Sequence, residues 1–176
     1  ATLPLVMQLV DKKELSLNTK LSEMLPEYKN SNKANITLKE MLSHYARLKA
    51  WIPFYRHTLN AEKTGVSSNY YSKIPDKDFN VQVAENLYLR RDYMDTIFKI
   101  IRESDLNKRL EYKYSDLPYY ILKKYLEQTF GKPLEMIVQD NFYESLGANF
   151  TTYHPLEKFS KDNIPPTEQD HIFRNQ

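Results

Sequence analysis

The chain has 176 residues, with 25 basic and 23 acidic side chains giving a formal net charge of +2. That length supports one domain or part of one, and charges scattered along it make a solvated surface rather than the basic face that nucleic acid requires. No apolar run reaches the ~18 residues that cross a bilayer, three glycines form no phosphate cradle, and the absence of cysteine removes disulfides, thiolate metal sites and thiol nucleophiles without fixing a compartment.

The first predicted helix runs from about Thr2 to Lys13, with apolar spacing at Leu3, Val6, Met7 and Val10 and Pro4 admitted only in its first turn. Because that spacing is already running at Ala1, the segment reads as cut from something longer, and H-I-F-R-N-Q at the other end carries neither a cap nor a charged tail. Thr19 to Leu25 forms a short helical turn stopped by Pro26, and Asn30 to Asn35 a polar loop. Thr37-Leu38-Lys39-Glu40 is a capping box, in which the threonine hydroxyl accepts from an orphan N–H while the glutamate reaches back to the cap. A helix from Leu38 to about His44 follows.

From Lys49 to about Arg91 no sustained period is visible, and Pro53, Gly65, Ser67, Ser68, Asn69 and Pro75 punctuate what reads as a long irregular loop. Asp92 is placed to cap a helix carrying Met94, Ile97, Phe98 and Ile101 on one face. Ser115 or Asp116 then caps another, with Pro118 in its first turn, Leu117, Ile121, Leu122, Tyr125 and Leu126 on one side and Gly131 as its stop. Pro133 opens a last helix with Leu134, Ile137, Val138 and Phe142 inward and Gly147 beyond its end. Thr151 to Gln176 reads as loop, with Pro165-Pro166 enforcing extension. No pair of runs shows strand alternation joined by a hairpin turn, so the expected chain is mainly α, one helical unit with loops at 49–91 and 151–176.

Few residues rise above a structural role. His44, His57, His154 and His171 are isolated, without metal-ligand spacing, so neither metal nor cofactor is expected. Asp92 and Asp95 are accounted for by the helix dipole, and Arg90-Arg91, a possible carboxylate or phosphate fork, by solvation. The tyrosines read as packing residues with their hydroxyls in water. Trp51, in K-A-W-I-P-F-Y, is either an inward anchor or the wall of a cleft. Tyr114 stands directly before the cap, where backbone N–H groups favour negative charge. A phenol with a pKa near ~10 needs a neighbouring cation to act as a base at neutral pH, and the residues alone make Tyr114 a hydrophobic staple.

Four blocks change that reading: residues 1 to 28, then N-I-T-L-K-E-M-L-S-H, then Y-S-D-L with its helix, then G-K-P-L-E-M-I-V-Q-D-N-F-Y-E-S-L-G-A. In this order they resemble the serine beta-lactamase and penicillin-binding-protein-like family, in the branch of class C enzymes, D-Ala-D-Ala carboxypeptidases and esterases. The resemblance covers roughly residues 1 to 150 and implies the helical subdomain of a beta-lactamase/transpeptidase-like fold. Its Ser-x-x-Lys motif would lie just before Ala1, and no serine of this chain is followed by lysine three residues on. The family's Tyr-x-Asn motif matches Tyr114-Ser115-Asp116, which implies Tyr114 as the catalytic acid/base beside the missing lysine, with Ser115, Asp116 and Trp51 at the substrate. Its Lys- or His-x-Gly strand, the third motif in the family's order, has no match between Tyr114-Ser115-Asp116 and Gln176.

Two departures qualify the resemblance. Asp116 replaces an asparagine that can donate to a substrate carbonyl, which argues against beta-lactam hydrolysis in particular and leaves ester or peptide chemistry open. S-H-Y-A-R-L stands where the family more often has T-H-T-S-G-L, so Tyr45 and Arg47 replace small residues. The implied partners are the missing α/β half and a small-molecule or cell-wall substrate, in a bacterial periplasm or cell envelope. The rival is a noncatalytic helical module binding a protein or glycan.

Overall fold

A computed structural model describes residues 1–165, so His171 and the stretch from Pro166 onward lie outside the described residues. The elements in chain order are helices α1 (Thr2–Asp11), α2 (Leu21–Met24) and α3 (Leu38–Leu42), strands β1 (Tyr71–Ser72), β2 (Phe79–Ala84) and β3 (Leu87–Arg90), and helices α4 (Tyr93–Glu103), α5 (Leu117–Phe130) and α6 (Leu134–Val138). They divide into two compact units, one of Ala1–Trp51 with Arg102–Ile164 and one built on Ile52–Ile101.

The first unit is helical. α5 packs on α1 and α6, and its inner stripe of Leu117, Ile121, Leu122 and Leu126 is fully buried. The 4-1-4 spacing of that stripe is the repeat of one helix face, and each side chain contributes about 1.5–3 kcal/mol by leaving water. Gly131 ends the helix at φ 64, and its N–H returns to the Glu127 carbonyl at 2.9 Å. α1 turns Leu5, Val6 and Leu9 inward and leaves Leu3 and Met7 exposed. α6 continues into one wide turn over Gln139–Tyr143, and the Asn141 side chain donates to the Ile137 carbonyl at 2.7 Å. Such a widened turn marks a local interruption of the helical ladder. Phe142, expected inward, is half-buried there.

The polar loop at 30–35 holds an unexpected residue. Lys33 is fully buried, and its ammonium donates to the Asn32 side chain at 2.8 Å and to the carbonyls of Arg102, at 3.1 Å, and Ser104. Those carbonyls lie at the end of α4, where orphan acceptors and the negative end of the dipole favour a cation. Burial pushes its pKa down to about 8, against the attraction of Asp105.

The second unit corrects the expectation of a mainly α chain with an irregular 49–91. Three antiparallel strands form a sheet in the order β1-β3-β2, with Tyr71 opposite Leu89 and Val81 also opposite Leu89 across the other edge. Phe79, Val81 and Val83 alternate with Asn80 and Gln82, and Leu87 and Leu89 with Tyr88 and Arg90, so a period of two is present in the residues. It is obscured because register shifts fall between Phe79 and Val81 and again between Gln82 and Ala84. The hairpin turn is Glu85-Asn86, not the Asn-Gly of the commonest signal, with Asn86 carrying the left-handed conformation at φ 52.

Tyr71, Leu87, Leu89 and Tyr93 form the buried centre of this unit. Their phenols are not in water: Tyr71 shares a 3.1 Å hydrogen bond with the buried Thr58 hydroxyl, and Tyr93 donates to the Phe54 carbonyl at 2.8 Å. Arg90 forks onto Asp92, with Nε at 3.0 Å from one carboxylate oxygen. The guanidinium therefore finds its carboxylate two residues away, and Asp92 is occupied by an arginine as well as standing at the start of α4.

Candidate functional site

The geometry around Tyr114 begins at the end of α3. The capping box forms as expected: Thr37 Oγ1 accepts from the Glu40 N–H at 3.2 Å, and the Glu40 carboxylate accepts from the Thr37 N–H at 2.8 Å. Only five residues later the helix closes. The His44 N–H donates to the Met41 carbonyl at 3.3 Å and the Tyr45 N–H to the Glu40 carbonyl at 2.9 Å, the paired bonds of a Schellman stop. His44 takes the left-handed slot at φ 61, and Arg47 repeats that conformation at φ 55. Glycine is at ease there and other L-residues pay about 1–2 kcal/mol. Arg47 stands where the resembled pattern has glycine.

The irregular segment 44–50 is then stitched to 107–116. The Asn107 N–H and side-chain amide donate to the carbonyls of Arg47 and Leu48 at 2.7 and 2.8 Å. The Lys113 N–H reaches the His44 carbonyl at 3.0 Å, and the Asp116 N–H reaches the Ala50 carbonyl at 2.9 Å. Ser115 is 2 % exposed; its hydroxyl donates to the Lys49 carbonyl at 2.6 Å and accepts from the Leu117 N–H at 3.2 Å. Ser115 rather than Asp116 therefore supplies the side-chain cap of α5, since Asp116 makes no cap bond. The Ser115 N–H also points at His44 Nδ1, 3.4 Å away, which leaves the proton of neutral His44 on Nε2.

With its neighbours fixed on both sides, the Tyr114 side chain projects outward, 58 % exposed, and its ring lies 4.7 Å from that of His44 at 48°. The Asp116 carboxylate, through a hydrogen bond and its charge, holds the Tyr114 phenol above its ordinary pKa. An aspartate at this place favours the protonated phenol. Trp51 is 54 % exposed, which removes the inward-anchor alternative.

Three contributors escaped the sequence reading. His44 is not isolated: its ring touches both Tyr114 and Tyr112, the latter at 5.9 Å and 89°. Tyr45, read only as a departure from small residues, stands 6.2 Å from Tyr112. Asn107 has no local signature at all, because its partners lie about sixty positions away. Of the other histidines, His154 lies 3.6 Å from Glu135. Among the described residues no three His, Cys, Asp or Glu side chains converge on a point that could hold a metal, and no helix is long and apolar enough to cross a membrane.

The Beta-lactamase family model matches residues 2–165, and the chain belongs to that family. It is 27 % identical over 169 residues to an N-acetylmuramyl-L-alanine amidase of Bacillus subtilis (strain 168), covering 92 % of this chain and 33 % of the relative. Its fold is similar to that of a beta-lactamase from Sulfitobacter sp. EE-36, with a TM-score of 0.54 and 13 % identity over 93 % of this chain and 38 % of that one. A penicillin-binding protein homologue from Caulobacter crescentus aligns with a TM-score of 0.52 and 14 % identity over 83 % of this chain and 32 % of that one. The chain thus spans about a third of the length of these relatives.

Proposed function

We propose that this chain is the tyrosine-bearing part of a serine hydrolase of the Beta-lactamase family, acting on amide or ester bonds of a cell-wall type substrate. The observation that carries the reading is Tyr114: exposed, aimed away from the core, and fixed by bonds from Lys113, Ser115 and Asp116 to the 44–50 segment. A side chain that contributes nothing to the core yet is positioned on both flanks suits proton transfer to and from a reacting serine. The serine and lysine of Ser-x-x-Lys are supplied from outside these 176 residues, as is the α/β half that bears them. Ser115 positions the corner, Asp116 borders the substrate, and Trp51 forms one wall of the cleft. The amidase relative supports the substrate class and a place in the bacterial cell envelope.

The lysine of the family motif supplies what this chain lacks. Asp116, by a hydrogen bond and by its charge, leads the influences that raise the Tyr114 pKa, with desolvation, Tyr119 and Tyr112 acting in the same direction, and an ammonium beside the phenol works in the opposite direction by favouring the phenolate. The test is kinetic. In the full-length polypeptide containing this chain, Tyr114→Phe is expected to lower kcat/KM for a muramyl-peptide or ester substrate by about 100-fold or more, with thermal stability unchanged because the side chain is exposed. Residues 1–176 alone are expected to be inactive. Hydrolysis of nitrocefin or an ester by the isolated chain, abolished by Tyr114→Phe, would overturn the division of labour.

A further inference from the structure

The exposed aromatic side chains beside Tyr114 are unevenly distributed. Tyr45 and Tyr112 lie on the two stitched segments and are 44 % and 60 % exposed. The Tyr112 ring meets His44 edge-on at 5.9 Å and Tyr45 at 6.2 Å and 65°, while His44 tilts by 48° against Tyr114. The mutually inclined rings present a corner of aromatic faces rather than a flat patch. These rings take no part in the buried core of α1, α5 and α6.

We infer that Tyr45, His44 and Tyr112 form a sugar-binding shelf that receives the saturated ring of a substrate whose scissile bond is presented to Tyr114. This rests on the catalytic reading above and adds the part of the substrate that the shelf recognises. The occupant follows from the chemistry. One face of a pyranose is lined with C–H bonds of slight positive charge, which stack on the negative face of an aromatic ring, while its hydroxyls at the rim pair with phenol and imidazole edges. A purely aliphatic partner would leave those edges unpaired. The relative whose name specifies an N-acetylmuramyl amide supports the same assignment, because in such an amide the sugar carries the amide carbonyl through a short lactyl ether.

The test is an amide NMR titration of the protein with N-acetylmuramyl-L-alanyl-D-isoglutamine and with D-lactoyl-L-alanyl-D-isoglutamine, which keeps the lactyl amide and lacks only the sugar. The muramyl ligand is expected to bind about tenfold more tightly, a difference of about 1.4 kcal/mol, and to shift signals of residues 44–46 and 111–114. Tyr112→Ala and Tyr45→Ala should each shrink that preference, whereas Phe150→Ala, an exposed aromatic change outside the shelf, should leave it intact. Equal affinity for the two ligands, no saturable binding of the muramyl ligand, or a preference that survives both shelf variants would overturn the assignment. No bond is cleaved in the titration. A sugar preference that persists while Tyr114→Phe proves kinetically silent would uphold the shelf and sink only the catalytic reading.

Discussion

Asp116 decides more at the residue scale than its exposure suggests. It stands where the resembled motif has asparagine, and its carboxylate raises the pKa of Tyr114 by hydrogen bonding and by charge. Asp116→Asn removes the charge, so the Tyr114 midpoint is expected to fall toward the ordinary phenol value. Selective carbon labelling of tyrosine and an NMR titration read this directly; an unmoved or higher midpoint would show that another group holds the proton. Lys33 gives the second residue-scale prediction. Its folded pKa of about 8 lies below the reference 10.5, so between those values the unfolded chain binds more protons and stability rises with pH. Measured against Lys33→Met, the native protein should gain up to about 3 kcal/mol across that window. At neutral pH the variant should still be less stable by about 1–3 kcal/mol, because the Arg102 and Ser104 carbonyls lose a buried donor. Parallel stability-versus-pH curves for the two proteins would contradict the assignment of Lys33 as the titrating group.

At the scale of elements, α3 is short enough for one cap to govern the site. Thr37→Ala deletes the acceptor for the Glu40 N–H and the hydroxyl that donates to the Glu40 carboxylate, at a cost of about 1–2 kcal/mol. Since α3 runs into the Schellman stop at His44, the loss should be felt in the stitched corner, and hydrogen exchange at the amides of Lys113 and Asp116 is expected to quicken. Unchanged exchange with a lowered melting temperature would show that Asn107 and Ser115 hold the corner without α3. This cap was legible from four residues, as were the α5 stripe and its Gly131 stop, because each depends on neighbours within one or two turns. The hairpin was less legible: its alternation is real, but the register shifts and the Glu85-Asn86 turn blur the local pattern. The corner itself was visible only in part. Tyr114 could be placed before a cap, whereas the bonds from Asn107 and Ser115 join residues 59 to 66 positions apart, a relation that no periodicity encodes.

For the whole molecule, the sign of one pKa tests whether the chain works alone. Among the described residues the leading influence on Tyr114 is Asp116, which favours the phenol and so opposes proton abstraction. The proposed serine hydrolase needs the reverse, and its Ser-x-x-Lys lysine, which this chain does not contain, is the group able to provide it. Comparing one residue in two contexts isolates that contribution. In the 176-residue protein the Tyr114 midpoint should lie above the reference value of 10.0; in the full-length polypeptide it should drop, and replacing the motif lysine by alanine should return it upward. Loss of activity on the lysine change with the Tyr114 midpoint unmoved would mean that lysine and tyrosine are not electrostatically coupled, and general-base catalysis through Tyr114 would have to be abandoned. A coordinated shift of both would tie the exposed phenol, the aspartate beside it and the stitched corner that fixes them to a single proton-transfer device, assembled from two parts of one polypeptide.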